Sequence, residues 1–321
     1  MRYVVFGAGA VGGVIGGRLH AAGRDVALVA RGDHLRALQA DGLHLLTPDG
    51  EEHHAIPAVG SIGELDLTAD DVVLLTMKSQ DTVAALNELV AVAPPDIAVV
   101  CAQNGIANEP EALRRFRHVY GLCVILPSQF TAPGVVVQQS APSAGVLDLG
   151  CYPTGADDRA EAIAADLEAA SFRAAAEPAI MRNKRRKLLM NLGNALDALC
   201  GWEARSSDLY TQAQAEGIAA FAAAGLDVQT AEEEAARRDG GVSLKPVAGQ
   251  ERGGSSSWQS LARGTGSIET DYLNGEVVLL GRCHGVPTPV NEALQRMANE
   301  AARTGRPAGS VPLDDVQALL N

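Results

Sequence analysis

The glycine pattern near the N-terminus is the feature of this sequence that most restricts its fold. A short apolar run, residues 3–6, leads into Gly7-Ala8-Gly9-Ala10-Val11-Gly12, and a helix-like stretch follows. In a strand–turn–helix unit the first glycine permits a tight turn, the second lets the backbone approach a pyrophosphate, and the third allows close helix–strand packing. The pattern therefore predicts a dinucleotide-binding α/β fold in which residues 7–12 bind the phosphates.

Hydrophobic periodicity divides the 321 residues into two parts. Through residue 125, β-branched runs alternate with helical stretches, which is typical of a parallel sheet, and residues 134–139 and 145–149 predict an antiparallel extension. Beyond Pro178 helical periodicity dominates. Helices are predicted over 181–201, 205–224, 229–238, 255–264, 266–285 and 289–304. We therefore expect a Rossmann-type domain over 1–178 and an all-α substrate and catalytic domain over 179–321.

Composition and charge exclude several classes of partner. The formal net charge of −13 would repel a phosphate backbone, so we expect no nucleic acid, and no stretch requires a membrane. The five cysteines lack CxxC spacing and only His53 and His54 are neighbours, so we expect no metal. The first strand follows Met1 too closely for a signal peptide, which predicts a cytoplasmic protein. A homodimer is compatible with this composition.

The end of the second predicted strand indicates which nicotinamide cofactor binds. NAD-binding chains usually carry Asp or Glu there for the ribose hydroxyl, whereas this chain has Ala30-Arg31. An arginine suits a 2′-phosphate, so the sequence favours NADPH, and Lys78 after another strand supplies a second cation. Asp33, two residues after Arg31, keeps NADH as an alternative.

A basic, amide-rich helix beyond residue 180 is the candidate for proton transfer. Reduction of a carbonyl by hydride needs a proton donor for the developing alkoxide. On a continuous helix Asn191 lies about 40° and Asn194 about 20° from Lys187 around the axis, so all three share one face. We expect this face to bind substrate, and the run from Lys184 to Arg186 to be a solvated basic face.

Residues 255–274 contain the other candidate polar groups. Three serines at 255–257 can cap the helix that contains Trp258. Glu269 and Asp271 lie about 200° apart on a helix, so we expect only one of them to face a cleft and the other to be structural or solvated.

Taken in order, these motifs resemble the ketopantoate reductase family, also called 2-dehydropantoate 2-reductases, over essentially the whole chain. The resemblance depends on the order of the motifs and on the separation of Ser257 from Glu269. The matching segments are Gly7–Gly12, Arg31, Thr76-Met77-Lys78, Gln103-Asn104-Gly105, Lys187-Leu188-x-x-Asn191, Ser257, Glu269 to Gly275, and residues 284–289.

The resemblance implies a role for each matched residue. It implies that Lys187 is the general acid, while Asn104 and Asn191 orient the carbonyl and the nicotinamide. It also implies that Ser257 binds the substrate carboxylate and that Glu269 holds the distal hydroxyl or steers Lys187. The expected function is NADPH-dependent reduction of 2-dehydropantoate to pantoate in a cleft between the domains.

Departures from the family pattern leave two alternatives. The family's second asparagine position is Ala195 here, with Asn194 one residue early, and an aromatic residue common before the lysine is absent. A paralogous reductase acting on another small 2-oxo acid is therefore the first alternative. The second is a redox-sensing protein that binds NADPH without turnover, against which the intact Lys187, Ser257 and Glu269 argue.

Overall fold

The computed structural model describes residues 1–250 and 253–319. Within them the chain forms two compact units. The first unit contains residues 1–104, 108–184 and 231–250, and the second contains residues 105–107, 185–230 and 253–319. The domain boundary after residue 178 stays a prediction. The observed units change over within the helix that carries Lys184, and residues 231–250, predicted in the helical domain, lie in the first unit.

A seven-stranded sheet forms the centre of the first unit. Its strands, in spatial order, are β5 (Ala58–Val59), β2 (Asp25–Val29), β1 (Arg2–Phe6), β6 (Val72–Leu75), β7 (Ala98–Cys101), β8 (His118–Leu122) and β12 (Leu149–Cys151). All neighbouring pairs are parallel except β12 with β8. Strand order reverses beside β1, and in such doubly wound sheets ligands bind at the carboxyl ends of the strands. The predicted Rossmann-type sheet with an antiparallel extension is confirmed.

Both faces of this sheet are buried. Strands β6 and β7 consist only of buried apolar residues, as expected where helices cover a parallel sheet on both sides. Tyr3 and Val5 pack into one apolar cluster and Val4 and Phe6 into another, because successive side chains of a strand point to opposite faces. The helices of this unit are α1 (Ala10–Ala21), α2 (Gly32–Asp41), α3 (Thr82–Val90), α4 (Asn108–Leu113), α5 (Asp158–Ala169) and α9 (Ala231–Arg238), with 3-10 turns at Ile62–Glu64 and Ser79–Asp81.

Two smaller sheets complete the first unit. The first contains β4 (Gly50–His54), β3 (Leu43–Thr47), β10 (Val135–Gln138) and β9 (Ser128–Ala132), and the second pairs β11 (Ser140–Pro142) with β13 (Val242–Leu244). Segment 231–250 joins the first unit through β13 and through Arg237, which donates to Asp148 at 2.6 and 2.8 Å. This half-buried, bidentate contact joins the segment to the first unit.

The second unit is helical. Helix α6 (Ile180–Asn191) begins in the first unit and continues into the second. The other helices of the second unit are α7 (Gly193–Cys200), α8 (Asp208–Ala223), α10 (Ser256–Ala262), α11 (Asn274–His284), α12 (Pro289–Thr304) and α13 (Leu313–Ala318), with 3-10 turns at Trp202–Ser206 and Glu269–Tyr272. In the described part of the chain, no helix has both the length and the apolar character needed to cross a membrane.

The predicted single helix over 181–201 is wrong, because the chain forms two helices that meet at Leu192. Asn274, which is fully buried, donates to the Leu192 carbonyl at 3.1 Å and to Asn291 Oδ1 at 3.0 Å. A side-chain amide therefore binds a helix carbonyl at this junction.

Candidate active site

The glycine loop has the geometry that its three glycines predict. Gly7 adopts a φ of +108°, and a Cβ there would lie 2.9 Å from the Met77 nitrogen. A Cβ at Gly12 would lie 2.4 Å from the Gly7 carbonyl oxygen and 2.8 Å from Val5 Cγ1, so any side chain would push α1 away from β1. The first and third glycines are therefore required by the protein's own packing.

Gly9 differs from Gly7 and Gly12, because a Cβ at Gly9 would meet no atom within 4 Å. Gly9 is the N-cap of α1, where no side chain caps the helix and no acidic residue occupies the first turn. The first N–H groups of a helix lack helical acceptors and attract anions. This end of α1 therefore has the donor set and the space that a pyrophosphate requires.

His34 supports the same loop from α2. Its Nδ1 accepts a hydrogen bond from the Gly134 N–H at 2.9 Å, so its Nε2 carries the proton and donates to the Ala8 carbonyl at 2.6 Å. Burial lowers the pKa of His34 below 6.5, which favours this neutral, bridging form. Sequence reasoning missed His34, whose two partners lie in distant parts of the chain.

Two cations follow strands at this end of the sheet. Arg31 is the N-cap residue of α2, its side chain is 69% exposed, and it forms an ion pair with Glu88 at 2.7 Å. Asp33, the predicted alternative ribose ligand, instead pairs with Arg36 on the same helix. Lys78 follows β6 and is the N-cap of the 3-10 turn that starts at Ser79.

A buried polar network fixes the turn that contains Asn104. The Gln103 side chain donates to the Met77 carbonyl at 2.9 Å and to Thr82 Oγ1 at 2.8 Å. The Asn108 amide donates to the Asn104 carbonyl at 3.2 Å. These contacts join the segment after β6 to the segment after β7, which are neighbouring strands, so the predicted cofactor residues Lys78 and Asn104 belong to connected segments.

Lys184 contradicts the predicted solvated basic face. Its side chain is 2% exposed, and Nζ lies 2.7 Å from Oε1 of the fully buried Glu109. Nζ also donates to backbone carbonyls at the ends of β7 and β8, whereas Arg185 and Arg186 are half-buried. The prediction failed because the acceptors come from other parts of the chain, so the local charge pattern carried no sign of them.

The predicted substrate residues of α6 and α7 have different surroundings. Lys187 is half-buried and Asn191 is buried, one turn later on α6, so their side chains share a helix face. Asn194 belongs to α7, where its Oδ1 accepts from Arg205 at 3.0 Å. Its amide nitrogen donates to Ser256 Oγ at 3.5 Å, so both ends of the Asn194 amide have partners within the second unit.

Ser257 is the most informative polar residue of the second unit. It is 1% exposed, and its Oγ has no hydrogen-bond partner within the described ranges. Leaving a buried hydroxyl unbonded costs about 1–3 kcal/mol. The preceding Ser255 caps α10 by accepting from the Trp258 N–H, as predicted, so capping does not explain Ser257. Ser257 therefore has the character of a ligand-binding group.

The two acids after residue 268 separate as expected. Glu269 is buried, at 4% exposure, whereas Asp271 is exposed and accepts from Gln295 and Asn299 on α12 at 2.7 and 2.6 Å. Thr270 donates to Asn274 at 3.3 Å. Since Asn274 also binds the Leu192 carbonyl, the segment that carries Glu269 is joined to the end of the segment that carries Asn191.

Together, a doubly wound sheet with a dinucleotide-type glycine loop and a helical unit with a lysine–amide helix define the class as a two-unit, Rossmann-type oxidoreductase. Sequence models of the family "Ketopantoate reductase PanE/ApbA" match residues 3–153, and models of its C-terminal part match residues 179–302. The chain belongs to the ketopantoate reductase family.

Individual relatives agree with this assignment. A 2-dehydropantoate 2-reductase of Halobacterium salinarum is 28% identical over 95% of this chain and 100% of its own length. One of Mesorhizobium japonicum is 41% identical over 107 residues, which are 33% of this chain and 32% of that relative. The structure of D-mandelate dehydrogenase with NADH and anilino(oxo)acetate has a TM-score of 0.81 at 21% identity, covering 96% and 100% of the two chains, which shows likeness of fold alone.

Proposed function

We propose that this chain catalyses the NADPH-dependent reduction of 2-dehydropantoate to pantoate. NADPH, when bound, supplies the hydride that adds to the 2-oxo carbon and leaves as NADP⁺. The carbonyl π bond breaks, its oxygen becomes an alkoxide, and Lys187 Nζ donates the proton that completes the alcohol. Full-length relatives named 2-dehydropantoate 2-reductase support this substrate.

The cofactor part of the proposal is supported by the first unit. The uncapped start of α1 and the open space at Gly9 suit the pyrophosphate. Arg31 would bind the 2′-phosphate by exchanging its exposed partner Glu88, because exposed ion pairs contribute little. The exposed pair of Asp33 with Arg36 is exchanged as easily, so the preference for NADPH over NADH rests on Arg31. Lys78 and Asn104 would contact the cofactor from the segments after β6 and β7.

The observation that carries the chemical part is the buried Ser257 hydroxyl, which has no partner among the described residues. A carboxylate would accept its hydrogen bond and remove the cost of the unbonded group. In the same unit, Lys187 lies one turn before Asn191, so a carbonyl oxygen can be held by the amide and protonated by the ammonium. Glu269 would hold the substrate's distal hydroxyl or orient Lys187.

One observation favours a second candidate, the reduction of another small 2-oxo acid. Arg205 engages the amide oxygen of Asn194, and the next residue, Ala195, is buried and offers no polar side chain. The family's second asparagine is therefore missing at this position, and the polar groups offered to the substrate differ from the family pattern. This candidate keeps the same roles for Lys187 and Ser257.

Steady-state assays with 2-dehydropantoate and either NADPH or NADH test the proposal. We expect turnover with NADPH and a lower kcat/KM with NADH. A panel of 2-oxo acids that vary in the distal substituent separates the two candidates. If an acid without a distal hydroxyl is turned over faster, that acid replaces 2-dehydropantoate as the proposed substrate. NADPH binding without hydride transfer to any acid would contradict the proposal that the protein is an enzyme.

A further inference from the structure

The buried Lys184–Glu109 pair lies at the carboxyl end of the central sheet and has no role in the proposed chemistry. Lys184 Nζ is 2.8 Å from the Gln103 carbonyl oxygen, 3.1 Å from that of Leu122 and 3.4 Å from that of Cys101. With Glu109 Oε1 at 2.7 Å, four acceptors surround an ammonium that has three N–H donors. Every N–H group of Lys184 therefore has an acceptor within reach, and its charge is paired with that of Glu109.

These acceptors make Lys184 a cross-link between neighbouring strands. Cys101 and Leu122 are the last residues of β7 and β8, and Gln103 immediately precedes Asn104. The ammonium therefore holds two strand ends and the turn that follows one of them. The buried Glu109 balances the charge, and replacing either partner alone would leave an uncompensated charge in the interior.

The other contacts of this turn show that its backbone is held from several sides. The Asn108 amide donates to Ser79 Oγ at 3.1 Å and to the Asn104 carbonyl at 3.2 Å, while Thr82 donates to Asn108 Oδ1 at 2.8 Å. Lys184 fixes the peptide before Asn104, and Asn108 fixes the peptide after it. These two anchors fix the backbone of Asn104 and therefore the direction of its Cα–Cβ bond.

We propose that Lys184 is a positioning residue for Asn104, acting through the Gln103 carbonyl. The inference deepens the proposed function and rests on the role that it gives Asn104 at the nicotinamide and the carbonyl. Misplacement of a reacting or orienting group by about 1 Å can cost on the order of 10² in rate. Loss of Lys184 should therefore affect hydride transfer even where the fold is intact.

The test uses a paired substitution that removes both buried charges. Lys184→Met alone leaves the buried Glu109 carboxylate without a counter-charge, so this variant is expected to be much less stable. Lys184→Met combined with Glu109→Leu replaces the ion pair by apolar side chains, which proteins often tolerate. The double variant therefore has no unpaired buried charge, but it still lacks the ammonium that donates to the Gln103 carbonyl. Lys245→Met, at an exposed lysine, is the matched control.

Single-turnover hydride transfer is measured for this double variant with Asn104 intact and on an Asn104→Ala background. If Lys184 acts through Asn104, the double substitution should slow transfer about 10-fold to 100-fold with Asn104 present and less than about twofold without it, because coupled residues are not additive. A purely structural pair would give the same loss on both backgrounds. Equal losses, or wild-type transfer in the double variant, would overturn the proposal.

NADPH affinity is measured by fluorescence titration for the same four proteins: the wild type, the Lys184→Met, Glu109→Leu double variant, Asn104→Ala, and the protein that carries all three substitutions. If the wild type binds NADPH but does not reduce 2-dehydropantoate, the proposed substrate is wrong. The comparison of NADPH affinities still tests the role of Lys184 in that case. Non-additive affinity losses would support its positioning role, and additive losses would contradict it.

Discussion

The two candidate binding regions of this molecule are built in different ways. In the first unit the groups offered to the cofactor are mainly backbone N–H groups at the start of α1, held by close packing at Gly7 and Gly12. In the second unit they are side chains from separate elements, including Lys187 and Ser257. The first region should therefore be sensitive to an added methyl group and the second to the loss of one functional atom.

The largest effect is expected at Lys187. Lys187→Ala should lower the rate of hydride transfer by about 10² to 10⁴, the usual contribution of a positioned general acid. NADPH affinity should stay within about twofold, because the proposed cofactor ligands lie in the first unit. Stopped-flow measurement under single turnover checks this, with Lys245→Ala as the exposed control. A small loss of rate would show that another group donates the proton.

Arg31→Ala should affect the choice of cofactor. Loss of a charge-assisted contact with the 2′-phosphate costs about 1.5–3 kcal/mol, or roughly 10- to 150-fold in NADPH affinity, with little change for NADH. Arg117→Ala, at another exposed arginine of the first unit, is the control. Equal losses for the two cofactors would remove Arg31 as the phosphate ligand and revive Asp33 as a ribose ligand.

A matched pair of glycine variants separates ligand space from packing. Gly12→Ala places a methyl group 2.4 Å from the Gly7 carbonyl oxygen, so it should lower the free energy of unfolding by about 1–3 kcal/mol. Gly9→Ala meets no protein atom and should cost at most about 1 kcal/mol as a change of N-cap residue.

NADPH affinity should show the opposite order, with the larger effect at Gly9. Gly9→Ala is expected to weaken NADPH binding by about 10-fold or more, since the pyrophosphate would occupy the space of the new methyl group. Thermal unfolding and fluorescence titration measure the two effects. Unchanged NADPH affinity in Gly9→Ala would mean that the pyrophosphate does not approach this residue.

Ser257→Ala should raise KM for the 2-oxo acid by about tenfold through loss of one hydrogen bond to a carboxylate. Stability should not fall, because the hydroxyl has no partner among the described residues. Ser255→Ala should show the opposite pattern, with about 1 kcal/mol of stability lost from the cap of α10 and a smaller effect on KM. A loss of stability in Ser257→Ala without a change in KM would make Ser257 a structural residue.

The smallest effect concerns pH. Because burial lowers the pKa of His34 in the folded protein, the unfolded chain binds a proton more readily. The contribution of His34 to stability is therefore present above pH 6.5, its ordinary pKa, and is lost as the pH falls below that value toward the folded-state pKa. Urea unfolding from pH 7.5 to 5 should show a shallower pH dependence in His34→Gln than in the wild type. Identical slopes would exclude His34 as a contributor.

The sequence predicted the first region better than the second for a physical reason. Glycines report backbone requirements directly, so Gly7 and Gly12 could be interpreted from spacing alone. Strands β3 and β4 and helix α13 were not predicted, although Pro48-Asp49-Gly50 between the two strands is a turn signal.

Side-chain networks were less accessible to sequence reasoning. Lys184 was predicted to be solvated because its neighbours are basic, while its partner Glu109 and its carbonyl acceptors lie far away in the chain. The face shared by Lys187 and Asn194 assumed helical continuity, which ends at Leu192 where Asn274 binds the carbonyl. Such long-range hydrogen bonds have no signature in local periodicity.

The central claim is that the glycine loop binds the cofactor and Lys187 performs proton transfer. The most direct measurement determines NADPH affinity and the single-turnover rate at saturating NADPH for Gly9→Ala and Lys187→Ala side by side. We predict that Gly9→Ala loses affinity but transfers hydride near the wild-type rate once saturated, and that Lys187→Ala keeps affinity but transfers hydride about 10² to 10⁴ more slowly. Loss of affinity in Lys187→Ala as large as in Gly9→Ala, or a wild-type transfer rate in Lys187→Ala, would contradict the account.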